Sequence, residues 1–333
     1  MVVMGAGGCA REAVGADVGA DEGAGADDGA DVGAGADVGA GADVGAGADV
    51  GAGADVGALT EVVGPAIDLT ACRVTGSDRI PLPEASGAAL IDAAGRRILL
   101  VADSGNAGRA LVIDLVAGQS KGLVLPLGDG AGDDVEGLER APDGRIFGLT
   151  SSGYLRAWMP LTEAADGFTL VLGPVAVSDD PDWVCDPFGV NCAANFEGIC
   201  IHPASATLGP AACAGWAASK ARGELVCLRV DGSGYRLDPA IRVPVTEPER
   251  LSGCAYEPRA PYRLVAVGNL FAASALWEVD IPATGTATMR EFQERGAGNQ
   301  EAVLLLPDGH LQSFGDAQDF LADESPRTTF ECH

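Results

Sequence analysis

The chain has 333 residues and carries 48 Asp and Glu against 21 Lys and Arg, a formal net charge of −27. That balance excludes nucleic acid as a partner, because a phosphate-binding surface needs clustered basic side chains and the only lysines are Lys121 and Lys220. No run of about eighteen apolar residues occurs, so no transmembrane helix is expected.

Residues 1–9 read Met-Val-Val-Met-Gly-Ala-Gly-Gly-Cys. Small residues before Cys9 match the end of a bacterial lipoprotein signal, whose cysteine is lipidated after cleavage. The basic n-region is missing and the apolar run is short, so the alternatives are a start upstream of Met1 or a chance match. Residues 10–60 form a Gly/Ala/Asp-rich segment that settles into the hexad Gly-Ala-Gly-Ala-Asp-Val, with Asp31, Asp37, Asp43, Asp49 and Asp55 in phase. Gly is entropically costly to order, and Ala and Val bury too little surface to offset it. The expectation is a disordered, low-complexity, self-repelling spacer, of which residues 15–58 would span roughly 35 Å root-mean-square. A calcium-filled β-roll is the alternative, although such rolls repeat with a period of about nine rather than six. Behind a lipidated Cys9 the spacer would lift the following domain off a membrane, in the cell envelope or outside the cell.

From residue 61 to 333 the composition changes. Leu, Ile and Val gather in short runs such as Arg97 to Ala102, Ala110 to Leu115 and Gly122 to Leu127, which read as strands. Asp143-Gly144, Asp231-Gly232 and Asp308-Gly309 are tight-turn signals. A short signature recurs at intervals of about fifty to sixty residues: Glu84 to Ala88, Asp134 to Leu138, Asn195 to Ile199, Arg250 to Cys254 and Asn299 to Val303. Its centres are Ser86, Glu136, Glu197, Ser252 and Glu301. Short strands under a long repeat predict an all-β fold, a β-propeller of five blades. Six blades is the alternative if residues 179–195 conceal more structure. The fifth copy ends early, so Ile67 to Val74 and Arg79 to Leu82 are expected to complete it. Pairing the two chain ends would then close the ring and protect the sheet edges.

Eight of the nine cysteines fall in this domain. In an acidic chain without a CxxC pair they point to disulfides and an oxidising compartment rather than to zinc. The expected pairs are Cys185–Cys192, closing a short loop, and Cys72–Cys332, joining the ends of the ring.

The run Gln300 to Val303 with Leu306 to Leu311 and Ser313 to Asp316 resembles the last blade of the SdiA-regulated β-propeller proteins. The copies at Asp134 to Leu138 and Leu251 to Tyr256 fit the Glu-Gly and Ser-Gly signatures of that family, which lies near the phytase-like and esterase-like propellers. The resemblance covers about residues 80–320. It implies a propeller with acidic residues around a central channel, often holding calcium. Three departures stand out: Ala302 replaces the usual Gly, the third copy carries a cysteine-bearing insertion, and the basic phosphate clamp of alkaline phytases is not evident.

One residue at the same place in every blade should face the axis. Glu136, Glu197 and Glu301 should therefore converge, either as calcium ligands or as locks accepting hydrogen bonds from neighbouring blades. Ser86 and Ser252 would line the remaining sides. The rim after each second strand is the candidate ligand site, with Asp103, Ser104, Asn106, Lys220, Arg222, Asn269 and Asp316. Asp129, Asp133 and Asp134 in one loop, and Asp179, Asp180, Asp182 and Asp186 in another, lack EF-hand spacing, and each is either a weak cation site or a solvated loop. No nucleophile elbow or P-loop occurs. The sequence thus favours an exported, monomeric, calcium-stabilised propeller that binds a small molecule or protein and touches a membrane only through a lipid anchor. A calcium-dependent phytase-like or esterase-like hydrolase is the alternative.

Overall fold

The structure is a computed structural model that describes residues 68–205, 212–245, 251–269, 274–281, 287–316 and 323–332. Cys9, the expected spacer over residues 10–60 and the first residues of the expected domain lie outside this set. Among the described residues, no helix is long and apolar enough to cross a membrane.

The apolar runs become strands buried on both faces, because sheets pack against sheets on either side. After a single 3-10 turn at Leu69–Ala71 come β1 (Arg73–Ile80), β2 (Ala85–Leu90), β3 (Arg97–Ala102), β4 (Arg109–Asp114) and β5 (Gln119–Val124). There follow β6 (Val135–Arg140), β7 (Ile146–Thr150), β8 (Tyr154–Pro160), β9 (Phe168–Ala176), β10 (Phe196–Ile201), β11 (Gly215–Ser219), β12 (Glu224–Asp231) and β13 (Gly234–Pro244). The last are β14 (Leu251–Tyr256), β15 (Leu264–Gly268), β16 (Ala275–Asp280), β17 (Thr288–Glu291), β18 (Gln300–Leu305), β19 (His310–Gly315) and β20 (Ser325–Glu331).

They form five four-stranded antiparallel sheets, β2-β3-β4-β5, β6-β7-β8-β9, β10-β11-β12-β13, β14-β15-β16-β17 and β18-β19-β20-β1. The first strands β2, β6, β10, β14 and β18 touch one another in a closed ring. This is a five-bladed propeller. Residues 179–195 contain no sixth blade, only a loop over blade two apart from their final residues, which lead into β10. The closing blade differs from expectation in one respect. The N-terminal part supplies a single strand, β1, and the third strand is β20 from the C-terminus.

The core is divided into five apolar clusters, one in each gap between neighbouring blades. Cys185–Cys192 and Cys72–Cys332 pair as expected, and Cys200–Cys254 and Cys213–Cys227 complete the set. Cys72–Cys332 ties the chain before β1 to the end of β20, sealing the ring, and Cys200–Cys254 links β10 to β14 across the gap between blades three and four. Four disulfides fit an oxidising, non-cytoplasmic environment.

Candidate metal centre

Every inner strand carries a bulge at the repeated signature. The register slips between Ala85 and Gly87, Val135 and Gly137, Phe196 and Gly198, Leu251 and Gly253, and Gln300 and Ala302. The residue skipped in each case is Ser86, Glu136, Glu197, Ser252 or Glu301. A bulge leaves its extra residue outside the ladder and re-aims the side chain. The signature therefore lies inside the strand, at the point where the strand breaks its own pairing. Two residues earlier, Glu84, Asn195 and Asn299 take left-handed backbone, φ 47°, 46° and 60°, a conformation that Asn tolerates better than most residues.

The glycine after each bulge has a separate cause. A Cβ on Gly137 would lie 2.6 Å from Cα of Gly198, and one on Gly198 would lie 2.9 Å from Cα of Gly253. On Gly253 it would meet the Glu301 carbonyl oxygen at 2.5 Å. Five blades leave so narrow a ring that neighbouring backbones approach within the space of a methyl group. Ala302 occupies the fifth place, packed among apolar residues of blades five and one.

Glu136, Glu197 and Glu301 meet on the axis, each offering a carboxylate oxygen within 4.8 Å of the other two. Asp103, Asp134 and Glu136 form a second group of the same span. The two groups share Glu136. The channel between the inner strands, lined by Ser86, Glu136, Glu197, Glu301 and the glycines, encloses a cavity of about 10 Å³.

The carboxylates are held from behind. Lys220 Nζ lies 2.9 Å from Glu197 Oε2, Asn269 Nδ2 donates to Glu301 Oε1, Ser151 Oγ donates to Asp134 Oδ2 and the Ser104 amide donates to Asp103 Oδ1. Such outer partners orient ligand oxygens. Glu197 Oε1 and Asp134 Oδ1 are buried without a partner, as is Asn269 Oδ1. Glu136, 5 % exposed, receives no hydrogen bond or ion pair at its carboxylate from any described residue.

Burial, then repulsion from Glu197, Asp103, Asp134 and Glu301, pushes the Glu136 carboxyl well above the usual range. Burial and Glu197 do the same to Glu301. Asp134 rises to about 7, chiefly through burial. Glu197 is also raised, because burial outweighs the opposing pull of Lys220. Burial alone would lower Lys220, but Glu197, Glu301 and Glu136 together hold it above its ordinary value. A site that resists its own ionisation so strongly is short of positive charge.

Ser86 and Ser252 serve a different purpose. Their hydroxyls donate to the carbonyl oxygens of Val135 and Gln300 in the next blade, both at 2.7 Å. The inter-blade lock weighed for the glutamates is thus made by the serines, whose single protons are committed to backbone. Asp103, Lys220, Asn269 and Asp316 do share one rim, each following the second strand of its blade. Ser151 completes that rim. Asp103, Ser151, Lys220 and Asp316 donate their amides to the carbonyls of Glu84, Asp134, Asn195 and Asn299 respectively, at 2.9–3.2 Å. Asp316 accepts from Asn299 Nδ2 at 2.8 Å. Arg222 turns away from the channel, with its guanidinium over the Trp183 ring at 4.0 Å.

Sequence reasoning missed Ser151 and did not place Asp134 beside Asp103 and Glu136. Asp134 stood with Asp129 and Asp133 in a loop read as a weak cation site or a solvated loop, and Ser151 follows β7 with no repeated residue type. The signal lay in the blade alignment, since Ser151 falls where the other blades place Asp103, Lys220, Asn269 and Asp316. The loop that carries Asp134 is anchored by the fully buried Arg156, which donates to Leu127 O at 2.8 Å and to Ala131 O and Gly132 O at 2.7 Å. The Cys185–Cys192 loop reaches the same place, its Asn191 amide donating to Ser151 Oγ at 3.0 Å.

No family model matches the chain, and no curated protein matches it in sequence. Among solved structures it is similar to hydrazine synthase of Kuenenia stuttgartiensis, at 12% identity over 74% of this chain and 59% of that one, with a TM-score of 0.40. It is similar to the PQQ-bound aldose sugar dehydrogenase of Streptomyces coelicolor, at 14% identity over 79% and 98% of the two chains, with a TM-score of 0.47. It is also similar to a calcium-binding protein, regucalcin, of Agrobacterium tumefaciens, at 12% identity over 74% and 90%, with a TM-score of 0.41. These likenesses carry no argument about activity.

Proposed function

We propose that the chain is an exported, calcium-stabilised propeller that binds a small molecule or a protein at the channel rim, held to a membrane through Cys9 and the acidic spacer. The carrying observation is Glu197: its Oε1 is buried without a partner, in a group of three carboxylates whose oxygens lie within 4.8 Å of one another. Calcium takes about six to eight oxygens at about 2.3–2.6 Å, so oxygens on opposite sides of one ion stand roughly 5 Å apart. Glu136, Glu197 and Glu301 fit that span, Asn269 Oδ1 is a further neutral acceptor, and no His or Cys belongs to the group. An oxygen-only set suits a hard cation. The resemblance of residues 300–316 to SdiA-regulated propellers agrees with this reading.

The test is metal content and thermal melting of the full chain before and after chelation. Calcium should raise the melting temperature, and Glu197→Gln should abolish the rise. A melting temperature indifferent to both chelator and calcium, with no metal bound, overturns the proposal.

The alternative, a calcium-dependent phosphoester or ester hydrolase, is favoured by one feature: Lys220 sets an ammonium beside the carboxylates at the open end of the channel. Calcium-dependent turnover of phytate or a generic phosphatase substrate, lost in Glu197→Gln, would establish it. Absence of turnover with calcium bound leaves the binding role.

A further inference from the structure

We infer that the channel mouth holds a second divalent, oxygen-ligated cation, between Asp103, Asp134 and Glu136, with Glu136 bridging it to the axial ion. This rests on the single-ion reading above and extends it to a two-cation centre.

Glu136 is the first ground. It belongs to both groups of carboxylates and is 5 % exposed. It is also the one member of either group that no described donor touches. A buried carboxylate without a donor is costly. A cation on each side would occupy it fully, whereas one ion leaves the side toward Asp134 unanswered.

Asp134 is the second. It is 2 % exposed, and the Ser151 hydroxyl holds its Oδ2 while its Oδ1 is buried with no partner. Asp103 is held in the same manner by the Ser104 amide. Asp134 is therefore fastened on one side and left open on the other, with Asp103 oriented beside it. That is how ligands are prepared for an ion, not how carboxylates are arranged to avoid one another.

Charge is the third. Asp103, Asp134, Glu136, Glu197 and Glu301 carry five negative charges when ionised, and Lys220 supplies one positive charge, leaving −4 in and around the channel. One divalent cation reduces this to −2, and two bring it to zero. Asp316, whose carboxylate Asn299 holds, lies outside both groups. Cations that share a carboxylate bridge stand about 3.5–4 Å apart in two-metal sites, a distance compatible with two groups that have one residue in common.

The experiment is calcium binding to the metal-stripped full chain, counted by isothermal titration and by metal analysis after desalting. Two calcium ions per chain are expected. Asp103→Asn should lose one and keep the other, and Asp134→Asn should do the same. Asp103 sits at the part-exposed rim, so its variant carries the test if Asp134→Asn fails to fold. One ion in the unaltered chain overturns the second site and leaves the axial ion standing. No ion overturns both readings. Two ions that persist in Asp103→Asn overturn the placement of the second cation against Asp103.

Discussion

Lys220 Nζ stands 2.9 Å from Glu197 Oε2, in the only ion pair made by a channel carboxylate among the described residues. Glu197 is 2 % exposed at its side chain and Lys220 is 31 % exposed, so the lysine caps a buried negative charge from the wet end of the channel. Loss of one partner from a buried pair leaves the other uncompensated. Lys220→Met should therefore lower stability in metal-free buffer by roughly 1–3 kcal/mol, discounted for the exposed lysine. Glu197→Gln in the same chain should restore most of that loss. Urea unfolding of the two single variants and the double variant measures it, and a double variant weaker than either single contradicts the pairing.

The contact between Gly137 and Gly198 yields a prediction about packing. Gly137→Ala would force a methyl group to within 2.6 Å of the Gly198 Cα and the Ile199 amide nitrogen, backbone atoms that cannot rotate away. Overpacking of this kind costs about 1–3 kcal/mol or more. Gly122, in an outer strand, has nothing within 4 Å of a built Cβ, so Gly122→Ala should melt at or slightly above the parent temperature. Equal melting of the two variants would show that the inner ring has slack.

Glu139 predicts a pH dependence. Burial pushes its carboxyl up to about 8, against the opposing hydrogen bonds from the Arg140 and Tyr256 amides. Below about pH 4.5 both the folded and the unfolded chain keep this proton, and its contribution to stability is complete. As pH rises from about 4.5 to 8, only the unfolded chain ionises, so stability falls, and above 8 the loss levels off. Each unit of separation is about 1.4 kcal/mol, so the loss should reach a few kcal/mol. Glu139→Gln should flatten stability across this window relative to the parent, as read by chemical unfolding at intervals between pH 4.5 and 8.5. Identical slopes in the two chains would dismiss Glu139 as the source.

The Cys72–Cys332 disulfide joins residues 260 apart in sequence. A loop of that length carries a large closure entropy in the unfolded chain, about 5.6 kcal/mol in the chain-entropy account. Cys72→Ser with Cys332→Ser should lower the melting temperature strongly and expose β1 to protease, since β1 is the outermost strand of the closing blade and pairs only with β20. Cleavage first appearing elsewhere would argue that the hydrogen-bonded ladder alone seals the ring.

The five-bladed ring was legible because its closest approaches leave marks in the chain. A bulge needs a side chain that can face the axis, and the next position must be small, so Ser86-Gly87, Glu136-Gly137, Glu197-Gly198, Ser252-Gly253 and Glu301-Ala302 recur at blade spacing. The outer strands were less legible. In β1 all but Ile80 are exposed, and in β5 no residue is buried, so neither carries the apolar pattern that identifies a strand. The third strand of the closing blade, β20, reads Ser-Pro-Arg-Thr-Thr-Phe-Glu with burial that alternates only in part. Its place depends on where the ends of the ring meet.

By itself, the sequence determined the repeat and the convergence of its three glutamates, because both follow from a local spacing imposed on every blade, and it pointed to two of the four disulfides, Cys185–Cys192 and Cys72–Cys332. Only the tertiary structure decided which oxygens are tied and which are free. It committed Ser86 and Ser252 to the carbonyls of the next blade, paired Lys220 with Glu197, and brought Asp103 and Asp134 from two different blades against Glu136. Those relations are set by the narrow ring, which presses side chains distant in sequence into one small, nearly dry volume where an unpaired charge is costly.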